Sequence, residues 1–182
     1  MGMRLATRQH NQGFTLVELM VALAILAIMS AVAVPRFSDM IARNRMSGAT
    51  NEIVAAIHLA RSEAVTKNAR VVICATRAGT ACDGNDWSRI MTFVDADRNG
   101  SRSNNEEIRQ VVDVSNPNLR VFNNGGANIV FSPSGLSPMG LATSANNTLT
   151  VCSPELDGRQ RIITVGVSTS SISSAAGEGA CE

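Results

Sequence analysis

The chain contains no tyrosine, a single tryptophan, Trp87, and five phenylalanines. So few ring side chains, set among abundant Ala, Val, Ser, Thr and Asn, suit a modest β-rich body. Several catalytic signatures are also missing: there is no GxSxG elbow to present a nucleophilic serine, no Gly-rich phosphate loop of P-loop spacing and no HExxH helix. The only histidines are His10 and His58, and His58 suits a packed or surface position better than a general base. No CxxC pair is present and no internal repeat emerges. An excess of one charge is absent too, with 16 Lys and Arg against 15 Asp and Glu, so net charge implies no polyelectrolyte partner. Together these absences argue against an enzyme, and they call for no cofactor.

What the chain does have is one long apolar run. It opens as Gly13-Phe14-Thr15-Leu16-Val17-Glu18-Leu19 and reaches Val34 with a single charge inside it, Glu18. As a helix of about 21 residues rising ~1.5 Å each, it matches the ~30 Å hydrocarbon core of a bilayer. Arg4, Arg8 and His10 precede it with no acid among them, a flank that keeps this end cytoplasmic and the bulk of the chain outside. An ionised carboxylate in such a span costs several kcal/mol unless it is partnered, which makes Glu18 a functional candidate.

Three readings compete for this N-terminus. In the first, residues 1–13 are a short basic leader removed after Gly13, leaving Phe14 as the new N-terminus. In the second, the whole run is an ordinary secretory signal cut at Ala31-Val32-Ala33, although an acid in the apolar region of such a signal has no use. In the third it is a plain uncut anchor. The segment Gly13 to Leu19 favours the first, because it resembles the N-terminus of type IV pilins and type II secretion pseudopilins. That resemblance implies a prepilin peptidase cutting after Gly13 and methylating the amine of Phe14. It also implies other pilin subunits as partners, with Glu18 of one subunit meeting the cationic Phe14 amine of a neighbour. A buried pair of that kind gives register more reliably than stability. Loss of the leader would remove Arg4 and Arg8, taking the basic residues from 16 to 14 and leaving the mature chain near neutral.

Pro35, at the end of the apolar run, is expected to kink or locally open the helix. Beyond it Phe37, Ile41, Ala49, Ile53, Ala56, Ala60 and Ala64 recur mostly at three- and four-residue spacing, predicting one apolar stripe with Gly48 as a weak spot. Lys67 and Asn68 make a suitable end, so a helix over 14 to about 68 would be roughly 80 Å long. Short extended runs follow at 70–75, 90–94, 108–114, 119–122, 128–131, 148–152 and 161–167, separated by Gly, Asn, Asp, Ser and Pro clusters. Residues 168–179 read as a low-complexity Ser/Ala/Gly tail, mobile or tied only at its end. About 110 residues beyond the helix hold one core and no more.

Three later segments narrow the family. Leu59-Ala60-Arg61-Ser62-Glu63-Ala64-Val65, the run from Trp87 to an Asp-rich turn at Asp97, and Ile129-Val130-Phe131-Ser132-Pro133-Ser134-Gly135 resemble, in that order, the GspH/FimT family of minor pilins and pseudopilins. The resemblance implies an α+β type IV pilin fold. It would comprise a leader at 1–13, a transmembrane and assembly half-helix at 14–34, an amphipathic half-helix at 35–68 and an antiparallel β domain at 69–182. The implied role is a low-copy subunit near a pilus tip that supports assembly, or its counterpart in type II secretion. Such a subunit would be held in the inner membrane by its helix, with the β domain in the periplasm, and would reach the cell surface in the pilus.

Three constellations remain. Cys74, Cys82, Cys152 and Cys181 allow three pairings, and an outward-facing domain favours disulfides. The preferred pairing joins Cys74 to Cys82 and Cys152 to Cys181, because tethering the tail restricts a loop of about 30 residues, by ~3 to 4 kcal/mol in the entropy model. A cysteine metal site is the alternative, against which stand the missing CxxC and the scarcity of histidine. Asp95, Asp97 and Asn99, with Gly100 and then Glu106, match the spacing of an EF-hand calcium loop. Strand-like flanks and the nearby Arg98 and Arg102 argue instead for a polar hairpin turn with no metal. Finally, Arg159 and Arg161 in Gly158-Arg159-Gln160-Arg161 fall on one side of an extended segment and could bracket DNA phosphates. Family members active in DNA uptake carry a GRxR motif after the final apolar strand, whereas here it precedes Ile162-Ile163-Thr164-Val165. The plainer reading is two surface arginines at a strand start.

Overall fold

In the computed structural model, residues 13–125, 128–137, 147–156, 158–176 and 181 are described, and two units divide the chain after Ser38. Most of the proposed leader, residues 1–12, lies outside the described residues. One helix, α1 (Leu16–Lys67), carries the N-terminal third of the chain. It stays helical past Pro35, whose missing N–H removes one ladder bond without ending the element, so no local opening interrupts it.

Asn68 ends α1 by adopting the left-handed conformation, with φ 49°. The Asn68 N–H donates to Val65 O and the Ala69 N–H to Ala64 O, the paired bonds of a Schellman stop. The buried stripe runs Ala42, Met46, Ala49, Ile53, Ala56, Ile57, Ala60, Ala64. Its upper part corrects the sequence expectation, because Phe37 is 60% exposed and Ile41 only half-buried. Counting back from Ile53 in steps of four and three lands on Ala49, Met46 and Ala42. Ile41, one residue away, is turned about 100° from that line.

Among the described residues eight strands follow: β1 (Val71–Ala75), β2 (Arg89–Val94), β3 (Ile108–Asp113), β4 (Arg120–Asn123), β5 (Ile129–Phe131), β6 (Asn147–Cys152), β7 (Arg159–Val165) and β8 (Ser170–Ala176). They form two four-stranded antiparallel sheets, ordered β3-β2-β1-β5 and β4-β6-β7-β8. β1 is buried along its whole length because it is central and covered on both faces. Val71, Ile73 and Ala75 join the stripe of α1 in the main core, which the second sheet completes with Val121, Leu149, Val151, Ile163 and Val165. Val72 and Cys74 point the other way, into a small cluster with Met91, Phe93 and Val130 that Cys82 helps to cover. The alanines of α1 let the helix backbone approach this core closely, while the few large side chains, Phe93 and Phe131 among them, are fully buried.

The C-terminal segment differs from expectation. Residues 170–176 are an edge strand, not a loose tail, paired with β7 from Val165↔Ser170 to Arg159↔Ala176. The link between them closes with Gly166 N–H donating to Thr169 O. The strand is held by its backbone ladder, so its side chains can be small and exposed, and no apolar alternation marks it in the sequence. Two disulfides complete the body. Cys74 joins Cys82 with Cα atoms 5.5 Å apart, and Cys152 joins Cys181 at 5.9 Å.

Candidate functional site

The first half of α1 exposes its apolar side chains from Leu16 through Met29, as does Phe14 just ahead of it, and none of its most apolar stretch is buried. By length and composition this helix is able to cross a membrane. Gly13 and Phe14 precede it in irregular backbone. Thr15 caps it, its Oγ accepting the Glu18 N–H at 3.2 Å, and the Leu19 N–H donates to Thr15 O. Thr15-x-x-Glu18 is the spacing of a capping box, and the acid in the first turn also suits the positive end of the helix dipole. Glu18 is exposed, so its carboxylate is offered outward beside the N-terminus. Thr15 is a contributor that the reading of Gly13, Phe14 and Glu18 passed over, although the capping pattern was available.

The acidic turn joins β2 to β3. Glu106 organises it from within, Oε1 accepting the Ala96 and Asp97 N–H groups and Oε2 that of Ser103. Asp97 accepts from the Asn99 N–H, the Asn99 amide and the Ser103 hydroxyl. The backbone hydrogen bond from Asn99 is the main reason its carboxyl is held below the usual range. Asp95 is buried, and burial raises its pKa although Arg70 beside it and the Gly100 N–H pull the other way. Arg70 Nε stands 3.0 Å from Asp95 Oδ2, while Arg70 Nη1 donates to Arg98 O. Arg102 is half-buried and donates to Thr80 O, in the loop closed by Cys74 and Cys82, and to Asn104 O and Glu106 O of the turn itself.

β7 starts at Arg159, two residues before the expected strand, so both arginines of the GRQR segment lie on it. They line a groove of about 420 Å³ together with Arg43 and Ser47 of α1 and Ser174 of β8. Arg43 pairs with Asp39 one turn earlier, and that hydrogen bond, with a smaller contribution from Arg159, keeps the Asp39 carboxyl below its ordinary range. Among the described residues neither Arg159 nor Arg161 has a carboxylate within 4 Å. Arg43 was missed in the sequence because it lies more than a hundred positions from its groove partners.

Arg61 joins two of the three segments that carry the family likeness, its own and that ending at Gly135. Its guanidinium donates to Gly135 O at 3.0 Å, Val167 O at 3.3 Å and Gly166 O at 3.4 Å, and lies 5.0 Å from the centre of the Phe131 ring. Gly135 has φ 76°, and a Cβ there would stand 2.9 Å from Val65 Cγ2. Only glycine fits this turn against α1 without strain.

A helix that exposes a methylation-type apolar segment and continues as the spine of a small antiparallel domain defines a type IV pilin-like protein. Residues 49–171 match the family described as "Type II transport protein GspH", and residues 8–34 match the "Prokaryotic N-terminal methylation motif". The first match covers more than half of the chain, which therefore belongs to the GspH family. The fold is similar to the crystal structure of the type IV minor pilin FimU of Pseudomonas aeruginosa, with a TM-score of 0.56 and 20% identity over 72% of this chain and 90% of that one. A "Fimbrial protein" of Pseudomonas aeruginosa is 38% identical over 40% of this chain and 47% of its own length. "Fimbrial protein EcpC" of Eikenella corrodens is 48% identical over 24% and 29%. The matches thus span about half or less of the length of these curated relatives.

Proposed function

We propose that this chain is a minor pilin that enters a type IV pilus near its tip and supports assembly there, without enzymatic activity of its own. The observation that carries this reading is Glu18, a lone acid in the first turn of an exposed apolar helix, five residues after Gly13. A prepilin peptidase would cut after Gly13 and methylate Phe14. The helix would hold the subunit in the inner membrane with its β domain in the periplasm until assembly carries it to the cell surface. In the filament, Glu18 would meet the Phe14 amine of a neighbouring pilin, so each charge offsets part of the desolvation cost of the other and fixes the register between subunits. Mass spectrometry of the mature chain should find methylated Phe14 as its first residue. A chain beginning at Val34, or an uncut one, would end the reading. The description of the matched family favours a pseudopilin of type II secretion as the alternative setting.

The groove formed by Arg43, Arg159 and Arg161 supports a second reading, a pilin that binds DNA during uptake. Among the described residues the groove gathers three guanidiniums, with the Asp39 carboxylate paired to Arg43, and contacts to phosphate of this kind weaken steeply with salt. In gel shifts with duplex DNA at low salt, the parent should retard the probe and an Arg159→Ala/Arg161→Ala variant should lose about tenfold or more in affinity. No shift with the parent would dismiss DNA binding and leave the assembly role standing.

A further inference from the structure

We propose that the turn from Asp95 to Glu106 is a calcium site. The twelve positions supply oxygen where a calcium loop requires it: Asp95, Asp97 and Asn99 at positions one, three and five, the Ser101 carbonyl at seven and Glu106 at twelve. Gly100 occupies position six, where the chain must turn sharply, and it takes φ 76°.

Spacing alone marks many polar turns, and the deciding observation is Asp95 itself. Its side chain is fully buried. Its Oδ2 is occupied by Arg70 and the Gly100 N–H, but its Oδ1 is buried with no hydrogen-bond partner. A lone carboxylate oxygen in that position is costly unless a cation, a water or a proton meets it, and the neighbouring Asp97 and Glu106 oxygens favour the cation. Asp95, Asp97 and Glu106 offer one oxygen each, all within 4.8 Å of one another. A single calcium ion with bonds of about 2.3 to 2.6 Å spans separations of that size.

Charge agrees with a divalent ion. Three carboxylates face Arg70, while the Arg102 guanidinium is taken up by the Thr80, Asn104 and Glu106 carbonyls rather than by any of the three carboxylates. The flanks are the ends of β2 and β3 rather than helices, and their antiparallel pairing, with Val94 N–H donating to Glu107 O, closes the base of the loop. Glu106 braces the turn through three backbone N–H groups, two on Oε1 and one on Oε2, which leaves Oε2 a free lone pair for the ion. Its oxygen-rich, irregular cage suits calcium better than magnesium, which demands near-octahedral geometry.

The test is calorimetric titration of the full chain in detergent, stripped with chelator, using calcium chloride and, in parallel, magnesium chloride. One saturable calcium site with a dissociation constant of about 10 μM to 1 mM is expected, at least tenfold weaker for magnesium. Asp97→Asn is the informative variant, because Asp97 is exposed and an asparagine oxygen can still accept the Asn99 N–H that forms the turn, although the two bonds to Oδ2 are lost. It should weaken calcium binding about tenfold or more while keeping the parent's circular dichroism. Absence of saturable binding by the parent up to about 10 mM calcium would overturn the proposal, as would equal affinity for magnesium or an unchanged affinity in a folded Asp97→Asn. If that variant does not fold, the parent's titration decides.

Discussion

Arg61 is half-buried, yet it donates to three carbonyls on two different loops and lies over the Phe131 ring. Each donor to a partly buried carbonyl contributes only about 1 kcal/mol net, but losing it leaves the carbonyl unsatisfied, which costs more. Asp113 acts at the surface. Hydrogen bonds from the Ser115 side chain and then from Arg89 hold its carboxyl at about 2, against an ordinary value of 3.8. Because the folded value lies below the unfolded one, the stability it contributes is present above about pH 4 and is lost as pH falls toward 2. Asp113 is more than a third exposed, so solvent screening limits that contribution to less than about 1 kcal/mol. Urea unfolding across pH should show Asp113→Asn slightly weaker than the parent at pH 7, with the gap closing between about pH 4 and 2. A gap that stays constant would mean the carboxylate charge is irrelevant. At this scale the sequence was legible where chemistry is local, as in the polar turn from Asp95 to Glu106, and silent for Arg61, whose acceptors are 74 to 106 positions away.

α1 was legible as an element because its period is local. Its alanines fall at helical spacing, and Lys67 with Asn68 ends it where expected. The face it buries was legible only below Gly48, since which of two adjacent apolar lines is covered, Ile41 or Ala42, depends on what packs there. Gly48 is exposed, and a Cβ built on it meets no atom within 4 Å. Gly48→Ala should therefore raise stability by about 0.5 to 1 kcal/mol through the backbone entropy of the unfolded chain. Thermal unfolding should show a rise of about 2 to 4 °C for a chain of this size. A fall would mean the glycine is held for a contact that the isolated chain does not make. β8 is the converse case. Seven residues of Ser, Ile and Ala carry no strand pattern because their faces are exposed, and the ladder to β7 alone makes them a strand.

For the molecule as a whole, the likeness between this chain and its family is a set of contacts rather than a set of words. The helix segment around Arg61 and the loop at Ser132 to Gly135 are distant in sequence and meet in the core, so their joint occurrence says more than either alone. The disulfides act at the same scale. Cys74–Cys82 closes a cover over the outer cluster, and Cys152–Cys181 ties residue 181 to β6.

The sequence by itself determined the features whose cause is local: an apolar helix of membrane length, a cleavage-like Gly13-Phe14 with its acid at Glu18, seven of the eight strands and the oxygen spacing of the acidic turn. Period, charge and turn chemistry are carried within a few residues, so they can be read without the fold. Only the tertiary structure decided that the strands divide into two sheets and that Ser170–Ala176 is one of them. It alone brought Arg43 beside Arg159 and Arg161, and it alone left Asp95 Oδ1 buried without a donor. Each of these depends on which distant segments exclude water from one another, and no local pattern encodes that.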